Sequence, residues 1–117
     1  MTLEYWHNPR CSKSRQGKEL LDAAGSTYTE RRYTDDPPTA KELDQVLTAL
    51  GKEPWEIARM GEDVAKDLDL KALPHDRKKW IAVMVANPIL IERPILISSD
   101  GRAALGRPPE ALQALLP

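Results

Sequence analysis

Cys11 is the sole cysteine of the chain, and its surroundings are of the kind that activates a thiol. It ends the loop His7-Asn8-Pro9-Arg10, in which Pro9 cannot donate to a strand ladder and Asn8 favours a turn. A helical pattern starts directly after it. The unpaired N–H groups and the dipole at a helix N-terminus stabilise a thiolate, and such thiols titrate ~1–5 units below a free cysteine. His7, Arg10, Lys13 and Arg15 stand within a few residues and add positive character. Where dithiol oxidoreductases carry their second cysteine, three residues on, this chain has Ser14. A serine hydroxyl can donate to a thiolate but cannot form a disulfide. If Cys11 turns over oxidatively, the resolving thiol must therefore come from another molecule, glutathione or a glutaredoxin-like partner being the economical candidates.

The helix start that favours a thiolate also favours an oxyanion. Three distant arginines stand in suggestive contexts: Arg59 after a short helix, Arg93 before Pro94, and Arg107 before Pro108. Guanidinium forks match tetrahedral oxyanions and stay charged at any relevant pH.

The elements that must position these groups follow from periodicity and punctuation. Thr2–Trp6 alternates and reads as a strand. Residues from Ser12 or Lys13 to Ala24 read as a helix, with Leu20, Leu21 and Ala24 inward, Ser12 or Ser14 as cap and Gly25 as stop. Thr27–Tyr33 fits an edge strand. Thr39 followed by Glu42 is a capping-box signature ahead of Leu43, Val46, Leu47 and Leu50, with Gly51 beyond. Short helical turns are expected over Pro54–Arg59 and Glu62–Leu68. A longer helix is expected from Pro74 to Asn87, with Trp80, Ile81, Met84 and Val85 inward. Pro94–Ser98 is a compact apolar strand, Asp100-Gly101 a hairpin turn into Arg102–Leu105, and Pro108-Pro109 the start of a final helix carrying Leu112, Leu115 and Leu116. A helix between the first two strands suggests a parallel crossover, and the hairpin adds an antiparallel pair. The expected architecture is α/β: one thioredoxin-like three-layer domain over residues 1–117, with a mixed sheet and a helical insertion at about 39–86 between its halves.

Composition narrows the function classes. Lys plus Arg is 17 against 18 for Asp plus Glu, a net charge of -1, which argues against nucleic-acid binding by bulk positive charge. No apolar run approaches the ~18 residues of a membrane span, and no charged-then-apolar segment opens the chain, so a cytoplasmic protein is expected. One cysteine excludes an intrachain disulfide and a Cys-rich zinc site. No metal or bound cofactor is expected. With no long apolar stripe left outside the core, a monomer is the default.

Four separated segments, in order over nearly the whole chain, resemble the ArsC family of glutaredoxin-linked bacterial arsenate reductases. They are His7-Asn8-Pro9-Arg10-Cys11-Ser12-Lys13-Ser14-Arg15, Tyr33-Thr34-Asp35-Asp36-Pro37-Pro38, Asn87-Pro88-Ile89-Leu90-Ile91-Glu92-Arg93-Pro94-Ile95 and Gly106-Arg107-Pro108-Pro109-Glu110. The resemblance implies a thioredoxin-like fold with a cis bond before Pro94. It also implies that Cys11 attacks arsenate, that Arg59, Arg93 and Arg107 bind the oxyanion, and that His7 and Ser14 tune the thiolate. Glutathione would attack the adduct, arsenite would leave, and glutaredoxin would reduce the mixed disulfide. Ser12-Lys13 stands where the best-understood members carry Gly-Thr, so the Cys-Ser-Lys-Ser form resembles a sister branch.

Two other readings remain open at the level of sequence. The Cys-x-x-Ser spacing also resembles monothiol glutaredoxins, which implies a glutathione-dependent thiol–disulfide oxidoreductase with another substrate. The superfamily also contains non-enzymatic, RNA-polymerase-binding stress regulators, whose redox-switch type generally carries Cys-x-x-Cys; Ser14 removes that switch here.

Overall fold

In the computed structural model, which describes residues 2–116, the chain divides into two compact units: residues 2–36 with 93–116, and Pro37–Glu92. The first unit is built on a four-stranded sheet, β1 (Leu3–Trp6), β2 (Thr29–Arg31), β3 (Ile95–Ser98) and β4 (Ala103–Leu105), in the order β2-β1-β3-β4. β1 runs parallel to β2, with α1 (Ser12–Ala23) as the crossover, and antiparallel to β3; β3 and β4 are antiparallel. The architecture is the expected α/β one with a mixed sheet, and the expected edge strand is β2, shorter than its alternating pattern.

Register follows from which side chains need burial. Tyr5 stands opposite Leu96, and Leu96 opposite Ala104. These three join Leu3, Leu21, Leu112 and Leu115 in one core cluster on the face that receives α1. Trp6 points the other way and stacks on buried Tyr33, with ring centroids 6.4 Å apart.

The inward face of α1 differs from the one expected. Leu21 is buried, but Ser14 and Gly17 share its stripe, while Leu20 is half-buried and Ala24 exposed. The expected final helix is Pro109–Leu115, in 3₁₀ form. Its buried residues Pro109, Leu112 and Leu115 recur every third position, so a coil of ~3 residues per turn keeps all of them on one side. Leu116 is half-buried at its end.

The second unit is helical: α2 (Ala40–Leu50), α3 (Pro54–Ile57), α4 (Asp63–Asp67) and α5 (Arg77–Ala86), with single 3₁₀ turns at Leu70–Ala72 and Pro88–Leu90. It spans a little more than the expected insertion. The capping box of α2 forms as read: Glu42 N–H donates to Thr39 Oγ1 at 3.1 Å and Thr39 N–H donates to Glu42 Oε1 at 2.9 Å. Gly51 ends the helix with φ 67°, a left-handed conformation that glycine adopts without a Cβ penalty. α5 begins at Arg77 rather than Pro74, because Asp76 caps it by accepting Lys79 N–H at 3.2 Å. Pro74 instead lies in the approach, where its carbonyl accepts Trp80 Nε1–H at 2.9 Å. Trp80, Ile81 and Met84 are buried and Val85 is half-buried. No helix among the described residues is long and apolar enough to cross a membrane.

Replacing Thr39 with Ala removes one side of the α2 capping box and should lower stability by about 1 kcal/mol, read as a shifted midpoint in denaturant unfolding at unchanged m-value.

Candidate active site

The loop between β1 and α1 folds onto its own asparagine. Cys11 N–H donates to Asn8 O and Arg10 N–H to Asn8 Oδ1, each at 3.0 Å. This turn delivers Cys11, in extended conformation (φ -94°, ψ 125°), to the N-cap position of α1. Neither Ser12 nor Ser14 caps the helix. The cysteine sulfur stands where a Ser or Asp oxygen ordinarily receives N–H groups of the first turn. The neutral thiol makes no capping hydrogen bond of ordinary length. Once ionised, the sulfur draws on the same donors. Burial of the half-buried sulfur opposes ionisation, but Ser14 N–H, a hydrogen bond from Arg93, Lys13 N–H and the Arg93 charge together outweigh it, and the thiol titrates below the usual cysteine range. Lys13 acts there through its backbone N–H, and no acidic residue occupies the first turn to counter the effect.

Arg93 and Arg107 come from the far end of the chain. The β1–β3 pairing sets Ile95 opposite Trp6, which brings the preceding Arg93 beside the cysteine loop. Arg93 is only 7% exposed, so this charge is buried against the sulfur rather than solvated as a lone surface arginine would be. Arg107 is exposed and reaches in: its Nε–H donates to Arg93 O at 2.9 Å and its Nη2 lies 3.8 Å from Cys11 Sγ. Both arginines precede cis prolines, Pro94 and Pro108.

Ser14 is the junction of the site. Its N–H serves the sulfur, while its hydroxyl accepts Asn8 N–H at 2.9 Å and lies 2.8 Å from His7 Nδ1. The hydroxyl is thus engaged with the loop, and Ser14 acts on Cys11 through its backbone. His7 is 3% exposed. Burial pushes its pKa below the ordinary histidine value; Glu30 works the other way, and Lys18, Arg32 and Arg15 add to the lowering. A neutral imidazole bonded to Ser14 is a support of the helix start and not a counter-charge to the thiolate.

Arg59 lies in the second unit. Its Nη1 is 2.7 Å from Glu92 Oε1 and its Nε 3.4 Å from Glu62 Oε2, so two carboxylates hold the guanidinium. Glu92, adjacent to Arg93 in sequence, carried no signal that would have marked it as the partner of Arg59. Among the described residues no group of three or more His, Cys, Asp or Glu is placed to hold a metal ion.

Fold and site define a class: a thioredoxin-like α/β protein whose one cysteine stands half-buried at a helix N-cap beside Arg93 and Arg107. The comparisons agree and narrow it. The ArsC family pattern matches residues 6–115. The chain is 46% identical over 117 residues to the uncharacterized protein in the glnII region of Streptomyces viridochromogenes, covering 97% of this chain and 98% of that one. It is 36% identical over 115 residues to an arsenate reductase of Neisseria meningitidis serogroup A, covering 97% of each. The solved arsenate reductase of Vibrio cholerae superimposes with a TM-score of 0.91 at 35% identity, covering 99% of this chain and 98% of that one. The chain belongs to the ArsC family.

Two outcomes follow from the electrostatics. Arg93→Met removes a hydrogen bond and a charge from the sulfur, so the pH at which Cys11 becomes alkylated by iodoacetamide should rise. The second concerns His7, whose folded pKa lies below the unfolded ~6.5. Below that pH the unfolded chain binds the proton more readily, so stability should decline as pH falls from ~6.5 through the folded His7 pKa, read by denaturant midpoints alongside the imidazole titration in NMR.

Proposed function

We propose that the protein is an oxidoreductase that reduces arsenate to arsenite through the Cys11 thiolate, acting as a monomer with glutathione and glutaredoxin as electron donors. The observation that carries this reading is the half-buried sulfur at the N-cap of α1, favoured as an anion and met by Arg93 and Arg107. The arsenate reductases among its relatives support the choice of oxyanion.

The thiolate attacks arsenic and one arsenate oxygen leaves as water after protonation, giving a Cys11–S–As(V) adduct. Arg93 and Arg107 neutralise the oxyanion and its developing charge. The ArsC resemblance assigns Arg59 to the anion as well; within its own unit its guanidinium is held by Glu92 and Glu62. A glutathione thiolate then attacks Cys11 sulfur. The S–S bond forms as the S–As bond breaks, its electron pair stays on arsenic, and As(III) leaves as arsenite. Glutaredoxin reduces the Cys11–glutathione disulfide, in keeping with the absence of a second cysteine. Such a donor system fits the cytoplasm, where thiols are kept reduced. Ser14 and His7 keep the donors of the first turn in place throughout.

The test is arsenate-dependent NADPH oxidation in the presence of glutathione, glutaredoxin and glutathione reductase. Turnover is expected for the unmodified protein and should vanish in Cys11→Ser, whereas Arg93→Ala should retain the thiol and lose arsenate turnover. Full activity of Cys11→Ser overturns the mechanism. Turnover on a glutathione mixed disulfide with no response to arsenate would select a thiol–disulfide oxidoreductase instead.

A further inference from the structure

Tyr5 lies in the middle of β1 with no exposed surface, on the sheet face that receives α1. Its hydroxyl donates to Ser14 O at 2.6 Å, and its ring stacks on His7 with centroids 5.5 Å apart and planes at 28°. A single side chain thus touches both residues that support the cysteine. The helix opposite is shaped to admit it. Gly17 sits in the interior of α1, where glycine is a poor helix former. A Cβ at that position would collide with the Tyr5 hydroxyl and would lie 3.0 Å from Leu112 Cδ1 and 3.2 Å from Pro94 Cγ. The hydroxyl and a Cβ cannot share that space.

We propose that Tyr5 is a positioning residue for Cys11: its hydroxyl anchors Ser14 and its ring orders His7, holding the first-turn N–H groups on the sulfur, and Gly17 is the helix position that makes room for it. The proposal rests on the reading of Cys11 as the nucleophile. A tyrosine that merely filled the core would be replaced by phenylalanine without effect on the sulfur. A tyrosine that positions Ser14 would not, because the carbonyl anchored by the hydroxyl belongs to the residue whose N–H favours the thiolate most. The other ionisable groups facing this cluster are Arg93 and Arg107 at the sulfur, Glu30, Lys18, Arg32 and Arg15 around His7, and Tyr28 edge-on to the Tyr5 ring. Both substitutions below leave all of them in place.

The experiment follows the rate of Cys11 alkylation by iodoacetamide against pH in the unmodified protein, Tyr5→Phe, Gly17→Ala and the double variant, with circular dichroism to establish folding. Tyr5→Phe keeps the ring and loses one buried hydrogen bond. Its thiol should titrate higher, and alkylation below the thiol pKa should slow roughly two- to tenfold. Gly17→Ala, which displaces the hydroxyl, should move the titration the same way. The double variant should go no further than Tyr5→Phe alone. An unchanged titration in folded Tyr5→Phe overturns the role of Tyr5, and additive shifts in the double variant overturn the role of Gly17. Because the titration uses no substrate, absence of arsenate turnover in the unmodified protein removes the proposed activity and leaves this inference standing. An ordinary cysteine titration in the unmodified protein removes both.

Discussion

A half-buried sulfur ionises only if donors replace the water it has lost, and at Cys11 those donors are two backbone N–H groups and a guanidinium. Backbone groups cannot swing toward a ligand as a side chain can, so the helix start itself has to be held in place. This explains an otherwise odd investment in polar burial. His7, Asn8 and Ser14 are all nearly inaccessible, and Ser14 Oγ bonds to both of the others. Asn8 turns the loop so that Cys11 enters as N-cap, and Ser14 ties the first turn back to that loop.

The guanidinium donor imposes a second constraint, on the strand that carries it. Arg93 is buried and therefore needs both a charge partner and a defined position. Its position comes from β3, which pairs with β1 so that Ile95 faces Trp6. The chain after β4 packs closely on the same corner: a Cβ at Gly106 would lie 2.5 Å from Pro94 Cγ and 3.2 Å from Leu112 Cδ2. That close approach lets Gly106 N–H donate to Pro94 O at 2.8 Å and directs Arg107 to Arg93 O and on to the sulfur. The two arginines are thus one construction, the buried one fixing the exposed one through its backbone. Arg59 is stabilised differently, by the carboxylates of Glu92 and Glu62 within its own unit.

Local chemistry wrote most of the element order into the chain. Thr39 with Glu42, Gly51, Pro54 and Asp100-Gly101 act over three or four residues, and each operates where it was read. The differences from the expected elements have separate physical causes. On α1 hydrophobic periodicity picks out Leu20 and Ala24 and does not register Ser14 or Gly17, although both are buried. In the last helix the core takes Pro109, Leu112 and Leu115, at a spacing of three, and leaves Leu116 at the C-cap. Asp76 outcompeted Pro74 for the start of α5 because a capping carboxylate satisfies a free N–H that proline cannot.

By itself the sequence determined that one thiol would sit where a loop becomes a helix, that it would lack a resolving partner, and that a mixed α/β fold would carry it. Those are consequences of residue type and short-range spacing. Only the tertiary structure decided which groups ionise the sulfur. Arg93 and Arg107 reach it through strand pairing across most of the chain, Lys13 serves through its backbone N–H, and burial lowers the His7 pKa. Tyr5 and Gly17 gained their meaning in the same way, since the space one hydroxyl needs beneath a helix depends on packing between elements distant in sequence, and no local pattern encodes it.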